Sequence, residues 1–157
     1  MPQWPFIPTQ VYKRSDIHDQ YGGTRQGGIA PSAQFPYIFI FSGKTGTQYG
    51  YQDGWENPDV FSYTGEGREG DMKFTKGNLA LREHINSGKR VFLFEYQSKG
   101  YVKFITELQF YDMGYFEAPD ANRNLRKSHQ ILFYKIGRAR NQYSFCSRTY
   151  TSRRRPI

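Results

Sequence analysis

Tyr101-Val-Lys-Phe-Ile-Thr-Glu-Leu-Gln-Phe-Tyr111 is the stretch on which the fold turns. Read as extended chain, it puts Val102, Phe104, Leu108 and Phe110 on one face and Lys103, Glu107 and Gln109 largely on the other, the pattern of a strand buried on one side. Comparable runs lie outward from it at Tyr37–Ser42, Gln48–Tyr51, Val60–Thr64, Arg90–Gln97, Tyr115–Ala118 and Ile131–Ile136. Aromatic residues make up 18% of the 157 residues and 16 glycines punctuate the chain, a balance that favours pleated sheet with short connections. The expected fold is α+β and β-rich: a twisted sheet or partly closed β-barrel with about three short helices.

Boundary chemistry locates those helices. Ser15 is placed to cap a short turn ending at Gly22. Asn78 is placed to cap Leu79–Ser87, with Leu81 and Ile85 on one face and Gly88 closing the end. Asp120 is placed to cap a third helix from about Ala121 to Ser128, which would turn Arg123, Arg126 and Lys127 to solvent. Trp4, Pro5, Phe6 and Pro8 read as an extended arm laid over the domain, since proline forbids regular helix and the aromatic rings favour burial. The chain reads as one domain, with an arm at 1–11, a core at 12–150 and a basic tail at 151–157.

The formal charge of +8 points toward a polyanionic partner, and it is unevenly spread. Residues 120–157 hold ten Lys or Arg against one acid, Asp120, so they carry +9 and leave −1 for the rest. A single cysteine, Cys146, excludes an intramolecular disulfide and a cysteine zinc cluster, which fits a reducing cytoplasm. No apolar run approaches the roughly 18 residues of a membrane span, and Met-Pro-Gln-Trp-Pro lacks the features of a signal peptide. The expectation is a cytoplasmic protein with no membrane partner.

Between Tyr12 and Ala33 the chain packs cations, glycines and small apolar groups into one region. The pairs Gly22-Gly23 and Gly27-Gly28 let backbone N–H groups approach a ligand, and Arg25 and Gln26 add planar donors. Ile29, Ala30, Pro31 and Ala33 follow as a small apolar surface. A cationic rim around an apolar middle suits an anion that carries one soft, weakly hydrogen-bonding atom.

Two motifs carry a family resemblance. Tyr12-Lys-Arg-Ser-Asp-Ile-His followed by Gly22-Gly-Thr-Arg-Gln-Gly-Gly-Ile-Ala-Pro31 resembles the sulfur-binding domains of modification-dependent (type IV) restriction endonucleases. Gly50-Tyr-Gln-Asp-Gly-Trp55, with Tyr63-Thr-Gly-Glu-Gly67, Gly70-Asp71 and Gly77-Asn-Leu-Ala-Leu81, is similar to the SET-and-RING-associated (SRA) domain, which reads modified cytosine. The combined resemblance implies an SRA/PUA-like domain that binds double-stranded DNA carrying phosphorothioate linkages and performs no chemistry, any nuclease lying in another domain or partner chain. It implies a sulfur pocket of Ala30, Pro31 and Ala33 with Arg14 and His18 as walls. DNA contacts would come from Tyr12, Arg25, Gln26, Gly27 and Gly28, and from tail cations including Arg123, Arg126, Lys127, Arg138 and Arg140. An alternative is a methylated-cytosine reader that flips the base toward Asp53, Trp55, Tyr63 and Glu66.

A second alternative is a small metal-dependent nuclease, for which the sequence offers little. His18, His84 and His129 lack metal-ligand spacing, and Asp16 with Asp19 and Glu66 with Glu69 serve equally as a helix face and a turn. No catalytic residue, metal or cofactor is assigned. Gly43-Lys-Thr-Gly-Thr47 lacks the upstream glycine of a phosphate loop and reads as a hairpin turn.

Overall fold

A computed structural model describes residues 4–43, 53–66, 71–72, 76–120 and 122–137. Among them the chain order is β1 (Val11–Lys13), α1 (Arg14–Tyr21), β2 (Ile29–Pro31), β3 (Tyr37–Ser42), β4 (Gly54–Asn57), β5 (Val60–Thr64), α2 (Lys76–Arg82), β6 (Arg90–Ser98), β7 (Tyr101–Pro119) and β8 (Leu125–Ile136). The strands form one twisted, unclosed sheet in the order β2-β3-β6-β7-β8-β5-β4, with β1 added to the start of β7. All pairs are antiparallel except β3 with β6. The β-rich expectation holds. The predicted strand at Gln48–Tyr51, the turn beyond Gly43, Cys146, and the tail cations from Arg138 onward lie outside the described residues.

The strand that suggested the fold is more elaborate than its alternation. Phe94 lies opposite Phe104, but the next partner of Leu93 is Thr106, so Ile105 is one residue too many on β7. Such a bulge reverses which face each later side chain meets. Val102 and Phe104 therefore join Phe39, Phe41, Phe92 and Phe94 on one face, whereas Leu108 joins Ile38, Ile40, Val91 and Leu93 on the other. Glu107, expected at the surface, is turned into the first face and buried.

Both faces are covered. Phe6 from the arm and Ile17 from α1 close the aromatic face. Phe6 alone meets the rings of Tyr12, Tyr21, Phe39, Phe92, Phe94 and Phe104 at centroid distances of 5.0–5.9 Å. Leu81 of α2 and Phe61, Tyr63, Ile131 and Phe133 of β5 and β8 close the aliphatic face. Burying each such side chain contributes about 1.5–3 kcal/mol, so the arm is part of the core.

The helices depart from the sequence expectation in three ways. Helix α1 ends at Gly22, whose φ of +85° explains the glycine, but Lys13 occupies the N-cap position without a side-chain cap bond and Ser15 lies inside the helix. Asn78 lies inside α2, and Ile85 is exposed because α2 stops at Arg82. The third helix is replaced by strand: Arg126 and Ser128 pair with Ala118 and Phe116. Asp120 does hold backbone N–H groups, those of Asn122 and Asn124 at 2.8 and 3.0 Å, but in a hairpin turn where Arg123 adopts φ +67°. The same capping chemistry serves either structure, and ladder pairing with β7 decides between them.

Glu107 is satisfied by three donors: Arg90 Nε and Nη2 in a bidentate pair and Trp4 Nε1, all at 3.0 Å. Its carboxylate is sealed under the arm, so removing one partner leaves charge in a poorly solvated place. Glu107→Ala is expected to cost about 3 kcal/mol of unfolding free energy by urea titration, with Glu107→Gln costing less.

Candidate functional site

The glycine-rich loop between α1 and β2 is held from beneath by Arg14. Its guanidinium lies 3.7 Å over the Phe41 ring, donates through Nη1 to Tyr96 Oη at 2.9 Å, and through Nη2 to Thr24 O and Gly27 O at 3.3 and 3.0 Å. The remaining Nε–H donates to His18 Nε2 at 2.9 Å. With Nε2 accepting, His18 carries its proton on Nδ1 and donates to Gly22 O at 2.9 Å. Burial lowers the His18 pKa, with Arg14 and Arg25 acting in the same direction, and protonation would set two N–H groups against each other.

Arg14 and His18, expected as pocket walls, are 9% and 4% exposed. Both are buried beneath the loop and shape it. The two other sulfur-pocket residues on β2 also separate, because alternation puts them on opposite faces. Ala30 is fully buried in the aromatic face, whereas Pro31 is half-buried opposite Ile38. Ala33 is exposed on the following turn, whose shape is set by Ser32 Oγ donating to Tyr21 O and accepting from Gln34 N and Phe35 N. Tyr12 is half-buried in edge-to-face contact with Phe6, its hydroxyl accepting from Ile7 N.

What the loop offers to solvent is its tip, Thr24–Gly27. Arg25 stands there, 55% exposed on its side chain, tied back to Asp19 and to Ser15 O, and Gln26 stands beside it. The loop returns to the sheet at Gly28, where the Tyr63 hydroxyl shares its one proton between Gly28 O and Phe41 O at 2.9 and 3.1 Å. A Cβ on residue 28 would overlap that hydroxyl, so glycine is required for contact rather than for dihedral freedom.

Thr64, next along β5, belongs to a polar cluster that composition could not show. Asp53 Oδ1 accepts from Thr64 N at 2.9 Å, and the hydroxyls of Thr64 and Ser42 also bond this carboxylate. Burial is the dominant influence on Asp53 and pushes its pKa up to about 6 despite those donors. A half-buried carboxylate oriented by three donors can accept a hydrogen bond from a ligand. Trp55 stands at the edge, 5.0 Å from Phe61 and faced by Lys135. Glu66 belongs elsewhere: its carboxylate accepts from Gly77 N at 3.0 Å at the start of α2, and Asn78 brackets its backbone at 2.7 and 2.9 Å.

The remaining cations stand on another element. Arg123 is in the β7–β8 turn, Arg126 is buried, and Lys127 is exposed over the Tyr115 ring.

The family described as ScoMcrA-like, SRA domain, matches residues 8–146. The chain belongs to that family. Its SRA fold resembles three solved structures in particular. A structure of the sulfur binding domain and SRA domain of ScoMcrA complexed with phosphorothioated DNA is 21% identical with TM-score 0.66, over 83% of this chain and 40% of that one. The type IV phosphorothioation-dependent restriction endonuclease ScoMcrA is 23% identical with TM-score 0.68, over 86% and 29%. The SUVH5 SRA complex with hemi-methylated CG DNA is 22% identical with TM-score 0.59, over 85% and 92%. This SRA chain thus spans well under half of either ScoMcrA chain and nearly all of the SUVH5 one. No curated protein sequence matches it.

Two measurements check the geometry. Gly28→Ala is expected to destabilise by about 1–3 kcal/mol, and Tyr63→Phe in the same chain to recover part of that loss, a non-additivity that a double-mutant cycle reads directly. For Asp53, the folded state holds the proton more tightly than the unfolded chain, so its stabilising contribution is full below about pH 4 and lost as pH rises through about 6. Asp53→Asn should therefore gain on wild type between these limits, by an order of 1 kcal/mol after allowance for solvent screening, as followed by denaturation across pH.

Proposed function

We propose that this SRA domain is a binding module for double-stranded DNA that reads a modified cytosine extruded into the niche of Asp53, Ser42 and Thr64, with Tyr63 beside it. The oriented Asp53 carboxylate carries the reading. Ionised at neutral pH, it matches the exocyclic amino group of cytosine, a donor. The same charge would repel a phosphorothioate anion, whose soft atom asks for an apolar cup. The loop tip with Arg25 and Gln26 is linked to the niche through Gly28 and Tyr63, so a duplex over the tip would bring one nucleotide near the carboxylate. Arg25 and Gln26 then contact bases or phosphates, while Arg123 and Lys127 contact backbone phosphates.

The phosphorothioate reading stands second, favoured by the two ScoMcrA structures, one of which holds phosphorothioated DNA. That structure names a sulfur binding domain and an SRA domain as two parts, and the family matched by this chain is the SRA part. In this reading sulfur would lie against Pro31 and Ala33 beneath Arg25. Under either reading, cleavage belongs to another domain or a partner chain of a modification-dependent restriction system.

Binding to three duplexes of one sequence, unmodified, 5-methylcytosine and Rp phosphorothioate, separates the readings at fixed salt. Preference for the methylated duplex of at least about tenfold, equivalent to about 1.4 kcal/mol, is expected, together with its loss in Asp53→Ala and its retention in Pro31→Asp. Preference for sulfur that survives Asp53→Ala and vanishes in Pro31→Asp would replace the first reading with the second.

A further inference from the structure

The row of side chains that starts at Ser42 continues beyond the niche. Ser42 lies opposite Glu95, Glu95 opposite Lys103, and Lys103 opposite Val11, so one row crosses β3, β6, β7 and β1. The next row outward pairs Tyr101 with Lys13. Tyr12, Val102 and Phe104 point into the aromatic face, so Val11, Lys13, Tyr101 and Lys103 stand on the opposite side, the side of Ser42.

This end of the face is open to solvent. Val11 and Tyr101 are 44% and 43% exposed, Lys13 is exposed and Lys103 half-exposed. Lys99, in the turn between β6 and β7, is exposed as well. None of the three lysines forms an ion pair among the described residues, and Glu95 is the one acid in the two rows. A tyrosine ring flanked by unpaired ammonium groups matches a chain of phosphates separated by sugars. Lys13 and Lys103 are diagonal neighbours across β1 and β7, roughly 7–8 Å apart and somewhat less at Cβ, comparable with the step between successive phosphates of one strand.

We propose that this strip is a second nucleic-acid contact, holding the backbone of the DNA arm next to the nucleotide read at Asp53. Lys13 and Lys103 each meet a phosphate, and Tyr101 lies against the sugar between them. The inference rests on the DNA-reading function proposed above and extends it from the niche to a track leading away from it.

The test is a salt titration of binding by the full chain to modified and unmodified duplexes. Each phosphate contact contributes about 0.9 to the slope of log affinity against log salt, so Lys13→Gln with Lys103→Gln should flatten that slope by about 2. Affinity for both duplexes should fall at least about fivefold near 0.1 M salt, with their ratio unchanged. Lys89→Gln, at the opposite end of β6, is the comparison and should leave the slope in place. An unchanged slope in the double variant, or equal flattening by Lys89→Gln, overturns the strip. Equal binding of modified and unmodified duplexes by wild type would instead sink the niche reading, while the slopes still judge the strip. All three positions are solvent-facing, and matching melting temperatures confirm that the variants are folded.

Discussion

A single surplus residue, Ile105, decides how this sheet is used. Without its bulge, Val102, Phe104, Leu108 and Phe110 would share one face of β7. With it, the first residues of β7 serve the aromatic face and the later ones the aliphatic face. Each layer then requires its own cover, which explains why an arm and α1 lie on one side while α2 and the curled β5–β8 edge lie on the other. The reversal also turns Glu107 inward, and that buried carboxylate in turn demands Arg90 and Trp4.

The site follows from the same economy of polar groups. Arg14 commits four of its donors to His18, Tyr96 and two loop carbonyls, and Tyr63 places its hydroxyl proton on Gly28 and Phe41. A short loop rich in glycine would otherwise sample many conformations. Held at four carbonyls, it presents Arg25 and Gln26 from a fixed base. Rigidity of this kind lowers the entropy that a loop loses on binding.

Much of the sheet was legible from alternation, and β3, β5 and most of β6 fall where the sequence places them. The bulge was not legible, because a bulge is defined by the partner strand rather than by its own residues. Asp120 illustrates a second limit: its side chain satisfies backbone donors in a turn as readily as at a helix start, and Arg126 to Ser128 have no strong preference of their own. Arg14 illustrates a third. A cation among glycines reads as a ligand contact, yet its place at the first position of α1 points it under the loop. Ala30 and Pro31 part company for the reason that helps strands elsewhere, since one step along β2 carries a side chain from one face to the other. Asp53 and Tyr63 were visible through family resemblance, but the donors that orient Asp53 come from Ser42 and Thr64, on two other strands.

The arm has a consequence for how the chain is made. Trp4 bonds to a carboxylate 103 residues downstream, and Phe6 needs rings from β3, β6 and β7. At a synthesis rate of roughly 5–20 residues per second, Trp4 and Phe6 wait on the order of 5–20 s for partners this far downstream. During that interval the aromatic arm and the strands it will cover are both bare. The arm thus stays bare until β7 emerges, and residues made well before β7 are among the last of this domain to find their places.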